Sequence, residues 1–140
     1  MLGSKKWLFF LLLGLMAFAD KNLNVAIDGL TTVQLVLRDP LMGNTIEKYN
    51  LAKDQHAGFV NALNNAVHQP NLKMTSTCYE FVLKYKDGTK RQLSTNGKGI
   101  GPTAFGSFMA SENLVVKFFD ISKENLCKPK DPANAPKSDF

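Results

Sequence analysis

Reactive side chains are few in this 140-residue chain: two cysteines, two histidines and a single tryptophan. Two cysteines without a neighbouring histidine or second cysteine at motif spacing do not form a metal-binding pattern. His56 and His68 are twelve positions apart. On one helix that separation turns them roughly 120° from each other, so they cannot ligate one ion. Neither serine nor cysteine stands in a nucleophile motif, which leaves an Asp54–His56 pair without a third member. The 12 acidic residues fall mostly in turns and at strand ends. A pair of carboxylates for glycoside chemistry would have to converge from distant positions. There is also no Asn-x-Ser/Thr acceptor site in a chain rich in asparagine, which leans toward a bacterial source.

What is present begins at the N-terminus. Lys5 and Lys6 precede an apolar run from Trp7 to Met16, and Ala17-Phe18-Ala19 leads into Asp20. A basic start, a short apolar stretch and a small-x-small exit are the parts of an export signal. The run is short for a membrane span, which needs about 20 apolar residues. The expected organisation is a signal at 1–19 cut after Ala19, one globular domain at 20–128 and a disordered tail at 129–140. An uncleaved N-terminal anchor is the alternative. The expected location is periplasmic or secreted, with no membrane span in the mature chain.

Without Lys5 and Lys6 the domain carries 15 basic and 12 acidic residues, a net charge of +3. That balance is too mild to indicate a nucleic-acid partner. In an exported chain the even cysteine count points to a Cys78–Cys127 disulfide.

Leu30 to Arg38 alternates as a strand, and Thr45 to Leu51 resumes it after the turn residues Asp39-Pro40 and Gly43-Asn44. Phe59, Val60, Leu63 and Val67 recur at helical spacing. They predict a helix over Gln55–His68, capped by Asp54 and stopped by Pro70. Its histidines read as surface or capping groups. Cys78–Tyr85 and Thr89–Thr95 alternate as a hairpin. A three-residue loop with Gly88 in the left-handed position pairs Phe81 with Leu93, whereas a two-residue turn would pair Phe81 with Ser94; the first keeps apolar with apolar. Asn96 to Pro102 reads as a glycine-rich loop, and Thr103 to Asn113 fits either helix or strand. Leu114 to Ile121, nearly continuous in Leu, Val and Phe, reads as a central strand. The expected fold is therefore α+β: an antiparallel sheet of about five strands with one amphipathic helix on one face, in the order β-β-α-β-β-β.

The charge feature that stands out is the hairpin, with Lys84, Lys86, Lys90 and Arg91 around its tip and Lys98 in the glycine loop. Gly97, Gly99 and Gly101 match neither dinucleotide nor P-loop spacing. The lysines either guard a hairpin edge or offer an anion-facing contact. Cys127-Lys128-Pro129-Lys130-Asp131 resembles, over five residues, the disulfide-closed loop of periplasmic lysozyme inhibitors. Pro132 stands there in place of its second cysteine and Lys130 in place of its histidine, and no family is assigned on it.

The functional expectation is an exported, non-enzymatic binding protein of the inhibitor or immunity kind. It would contact a protein partner through Lys84, Lys86, Lys90, Arg91 and Lys98, and use no cofactor or metal. One alternative is a cell-envelope accessory domain that binds anionic lipid or polymer through the basic hairpin. Another is a small secreted hydrolase.

Overall fold

The computed structural model describes residues 22–70, 77–101 and 107–134. The export signal read at 1–19 lies outside them, as do residues 135–140 and the first part of the stretch that fitted either helix or strand. The fold is α+β, with one antiparallel sheet of seven strands. Along the chain come β1 (Leu30–Arg38), β2 (Thr45–Asn50), α1 (His56–Asn64), β3 (Val67–Gln69), β4 (Tyr79–Tyr85), β5 (Lys90–Thr95), β6 (Gly99–Gly101), β7 (Ser107–Met109) and α2 (Leu114–Phe119). In space the sheet runs β2-β1-β4-β5-β6-β7-β3.

Strand alternation sorts the side chains. Val33, Leu35 and Leu37 of β1, Tyr79, Phe81 and Leu83 of β4, and Leu93 of β5 point to one face and are buried. Phe59 of α1 sits on that face edge-on to Phe81, with ring centroids 5.0 Å apart, and also meets Phe118 and Phe119 of α2 at 5.3 and 6.0 Å. Burying these rings adds apolar area to the core, and their edge-to-face geometry adds to it. The N-terminal segment closes the layer with Leu23 and Val25. Asn64 fixes that segment by accepting from the Val25 amide at 2.7 Å and donating to the Val25 carbonyl at 2.9 Å.

The β4–β5 hairpin has the register expected from its pattern. Phe81 faces Leu93, Lys84 faces Lys90, and Gly88 takes φ +88°. The Tyr85 amide donates to the Thr89 carbonyl and the Gly88 amide to the Tyr85 carbonyl, closing a three-residue loop. The Cys78–Cys127 disulfide is also formed.

Four features differ from the sequence expectation. The run Leu114–Ile121 is not a strand: Leu114–Phe119 is helical. The Asn113 side chain accepts from the amides of Val115 and Val116, and Asp120 ends the helix in the left-handed region. A cap at each end decides the state of an apolar run whose periodicity fits strand and helix alike. The first helix is also shorter than Gln55–His68. A 3-10 turn over Lys53–Gln55 contains Asp54, Gln55 stands at the cap without a side-chain bond, and the α-helix stops at Asn64. Beyond it Val67–Gln69 leave the helix and pair with β7. Two consecutive asparagines, both poor helix formers, make that exit cheap. His56, read as a surface or capping group, is buried, with Nε2 3.3 Å from the Leu51 carbonyl. Finally, Gly99–Gly101 of the glycine stretch form a strand, which with β3 and β7 raises the count to seven.

Gly97 precedes that strand at φ +104°, and a Cβ there would overlap the Asn113 side-chain amide that caps α2. Gly97→Ala therefore combines an unfavourable backbone conformation with loss of the cap. It is expected to lower unfolding free energy by about 2–4 kcal/mol in urea titration. Asn113→Ala alone is expected to cost about 1 kcal/mol.

Candidate functional site

The face of the sheet opposite the core carries no helix among the described residues. Three rows cross it, set by register. Lys48, Val36, Glu80 and Ser94 form the first, Asn50, Gln34, Val82 and Gln92 the second, and Thr32, Lys84 and Lys90 the third. Val36 and Val82 are almost fully covered, at 1% and 5% exposure. Glu80 is already occupied: Arg38 Nη2 donates to its Oε1 at 3.1 Å and Gln92 Nε2 at 3.0 Å. The other ion pair among the described residues is Lys117–Glu112, away from this face.

Lys48, Lys84 and Lys90 are therefore exposed cations on a face whose single carboxylate is taken. Lys84 and Lys90 are direct cross-strand partners. Like charges placed opposite each other repel, and an anion lying across both would relieve that repulsion.

Of the other sequence-expected residues, Lys86 and Arg91 border one groove together with Lys90, whereas Lys98 lies elsewhere. Lys86 is at the hairpin tip, where its amide donates to the Gly29 carbonyl at 2.8 Å. Arg91 pairs with Leu83 and so projects from the core side. There its Nη1 donates to the Asn24 carbonyl at 3.1 Å, while Tyr85 Oη donates to the Ala26 carbonyl at 2.8 Å. Arg91 thus anchors the N-terminal segment beside a groove of about 520 Å³ that Asp28, Thr89 and Lys90 also line. Lys98 lies past the far end of β5, roughly 17 Å or more from the hairpin tip at 3.3 Å per strand residue. It shares a groove with Lys117 and Lys123 instead. The glycine loop uses its own amides: Lys98 and Gly99 donate to Asn96 Oδ1, and Gly97 donates to Thr95 Oγ1. Those amides do not converge on a shared anion.

His68 packs its ring against Phe108, at 5.1 Å between centroids. Among the described residues no three His, Cys, Asp or Glu side chains gather to hold a metal ion. No described helix is long and apolar enough to cross a membrane.

Two features escaped the sequence reading. Glu47, on the core side of β2, accepts from Tyr49 Oη at 2.5 Å, from the amides of Lys130 and Asp131 at 2.5 and 3.2 Å, and from Asn134 Nδ2 at 3.2 Å. Burial raises its carboxyl pKa, and these hydrogen bonds more than offset the rise, holding it below the usual glutamate range. Burial and the adjacent Glu47 push the Tyr49 hydroxyl up. Lys130 Nζ lies over the Tyr49 ring, 5.3 Å from its centroid. The stretch from Lys130 to Asn134, at the start of the expected tail, is thus fastened to β2.

The second feature is the β1–β2 turn. Leu41 and Met42 are 87% and 80% exposed at its tip. Asp39 Oδ1 accepts from the Leu41 amide at 2.9 Å, and the Gly43 amide donates to the Asp39 carbonyl at 2.8 Å. Arg38 Nη1 donates to the Gly43 carbonyl at 3.2 Å. Asp39, Pro40, Gly43 and Asn44 account for the turn. Two large apolar residues between them, where polar ones are usual, were the available signal.

Comparison with protein-family models, characterised proteins and solved structures finds no match to this chain.

Proposed function

We propose that this chain is an exported, non-enzymatic binding protein of the inhibitor or immunity kind, and that the open sheet face meets an acidic surface of a protein partner. The observation that carries the reading is the set of unneutralised lysines on one four-stranded face, the Lys84–Lys90 cross-strand pair with Lys48 two rows away. A disulfide-tied sheet holds those charges at fixed spacing, which favours recognition of a shaped partner and speeds encounter with it. The disulfide also suits an oxidising compartment, periplasmic or extracellular.

The test is a pull-down from periplasmic or extracellular extract with the oxidised chain, followed by affinity measurement on the captured protein. The combined variant Lys48→Gln, Lys84→Gln, Lys90→Gln is expected to weaken binding roughly tenfold or more, mainly through slower association. Arg91→Gln is expected to leave it unchanged, because Arg91 holds the N-terminal segment on the opposite face. Anionic polymer or lipid held by these lysines would instead be released by about 0.5 M salt, where the screening length is only about 4 Å. Capture of such material alone would replace the protein-partner reading with an envelope-accessory one.

A further inference from the structure

We propose that the β1–β2 turn is a second and separate contact element, whose Leu41–Met42 tip enters a narrow apolar cleft on a protein partner. The inference rests on the binding-protein reading above and adds to it the chemistry of the contact. Large apolar side chains left in water at one tip contribute nothing to this fold's core, and adjacent ones mark an interaction point more than scattered ones do. Among the described residues the other large exposed apolar side chains are Ile27 and Val67, both less exposed.

The turn is also built to hold its shape. Asp39 satisfies the Leu41 amide through its side chain and the Gly43 amide through its carbonyl, the Asp39 amide donates to the Asn44 carbonyl at 2.9 Å, and Gly43 adopts φ +74°. Arg38, itself paired with Glu80, clamps the Gly43 carbonyl from the sheet. A tip fixed before binding loses little conformational freedom on entering a shaped cleft. A fluid bilayer interface rewards no such fixed shape.

Charge placement points the same way. The hairpin lysines lie at the other end of β1, about 25 Å from the turn at 3.3 Å per residue. Attraction of Lys84, Lys86 and Lys90 to an anionic bilayer would hold this tip away from it. Asp39, next to the tip, would be repelled by such a surface.

The experiment places a photoreactive benzophenone at position 42, or at exposed position 53 as control, in the chain recovered from the exported fraction. The crosslinked protein is identified, purified and titrated with unlabelled chain. Expected are a crosslink to one protein from position 42 and a fall in that protein's affinity of about thirtyfold or more in the double variant Leu41→Ser, Met42→Ser. The swap Leu41→Met, Met42→Leu should retain binding. Because both side chains are in solvent, the double variant should keep the parent's thermal midpoint, which shows that lost binding is not lost folding.

Unchanged affinity in the double variant overturns the inference. So does a variant whose only loss is binding to phosphatidylcholine–phosphatidylglycerol vesicles, or whose only loss is self-association in sedimentation. If the partner is captured and depends on Lys48, Lys84 and Lys90 but not on Leu41 and Met42, this inference fails and the proposed function stands. If no protein binds the chain at all, both fail.

Discussion

Phe59→Ala is expected to lower the unfolding free energy by about 4 kcal/mol, within the range for removing a buried phenylalanine side chain. Phe59 is fully buried and its ring is the one that touches Phe81 of the sheet and both Phe118 and Phe119 of α2. Its loss therefore opens the junction of three elements and leaves a cavity that rigid strands on one side cannot close. In urea the midpoint should fall by roughly 2–3 M with little change in slope. Phe59→Leu, which keeps most of the volume, should cost less than half as much. A loss below about 1 kcal/mol for the alanine variant would mean that α1 and α2 close over the gap and that Phe59 is no keystone.

Removing the Cys78–Cys127 bridge, as Cys78→Ala with Cys127→Ala, is expected to cost about 4 kcal/mol on the chain-entropy account for a 49-residue separation. The native contacts at the site persist, since the residue-127 amide still has the Tyr79 hydroxyl as its acceptor, 2.9 Å away in the native chain. The effect lies in the unfolded chain, which becomes free to expand, so the denaturant slope should rise as the midpoint falls. Reduction of the native chain by a phosphine should reproduce both changes. Equal stability of the bridged and alanine forms would show that the unfolded chain is already compact around this region. A typical domain has only 5–15 kcal/mol in hand, so either change alone consumes a large share of the fold's margin.

How much of this was legible follows from which local signals were unambiguous. The β4–β5 register was readable because parity left one consistent loop: shifting by one residue would have set Phe81 against Ser94 and exposed Leu93. The same parity places Arg91 on the face opposite Lys84 and Lys90, and the hairpin end still brings Lys86, Lys90 and Arg91 to one groove. The second helix was not legible from periodicity, because five of the six residues of Leu114–Phe119 are apolar and so short a run fits a strand as well as a helix. Its real marker was Asn113, a residue equally at home in a loop. The three-residue strands β3, β6 and β7 are too short to show any period, and they exist because neighbouring strands offer partners. Glu47 acquires its role only when residues 130–134 fold back onto β2, more than eighty positions later.

The disulfide has a topological consequence for how the chain would respond to a backbone cut. Residues 78–127 form a covalent ring that contains β4 to β7 and α2. A cut at the Lys86-Asp87-Gly88 tip leaves two pieces that are still one molecule. β1 and β2 lie outside the ring, and β1 sits between β2 and β4 at the centre of the sheet's long-stranded half. A single cut between Leu41 and Met42 would therefore sever β1 from everything the ring secures, leaving only hydrogen bonds and packing to keep it in place. This turn, whose two apolar residues are among the most exposed of the described large hydrophobics, is thus also one where scission has no covalent backup. A partner that buries Leu41 and Met42 would shield that bond from attack.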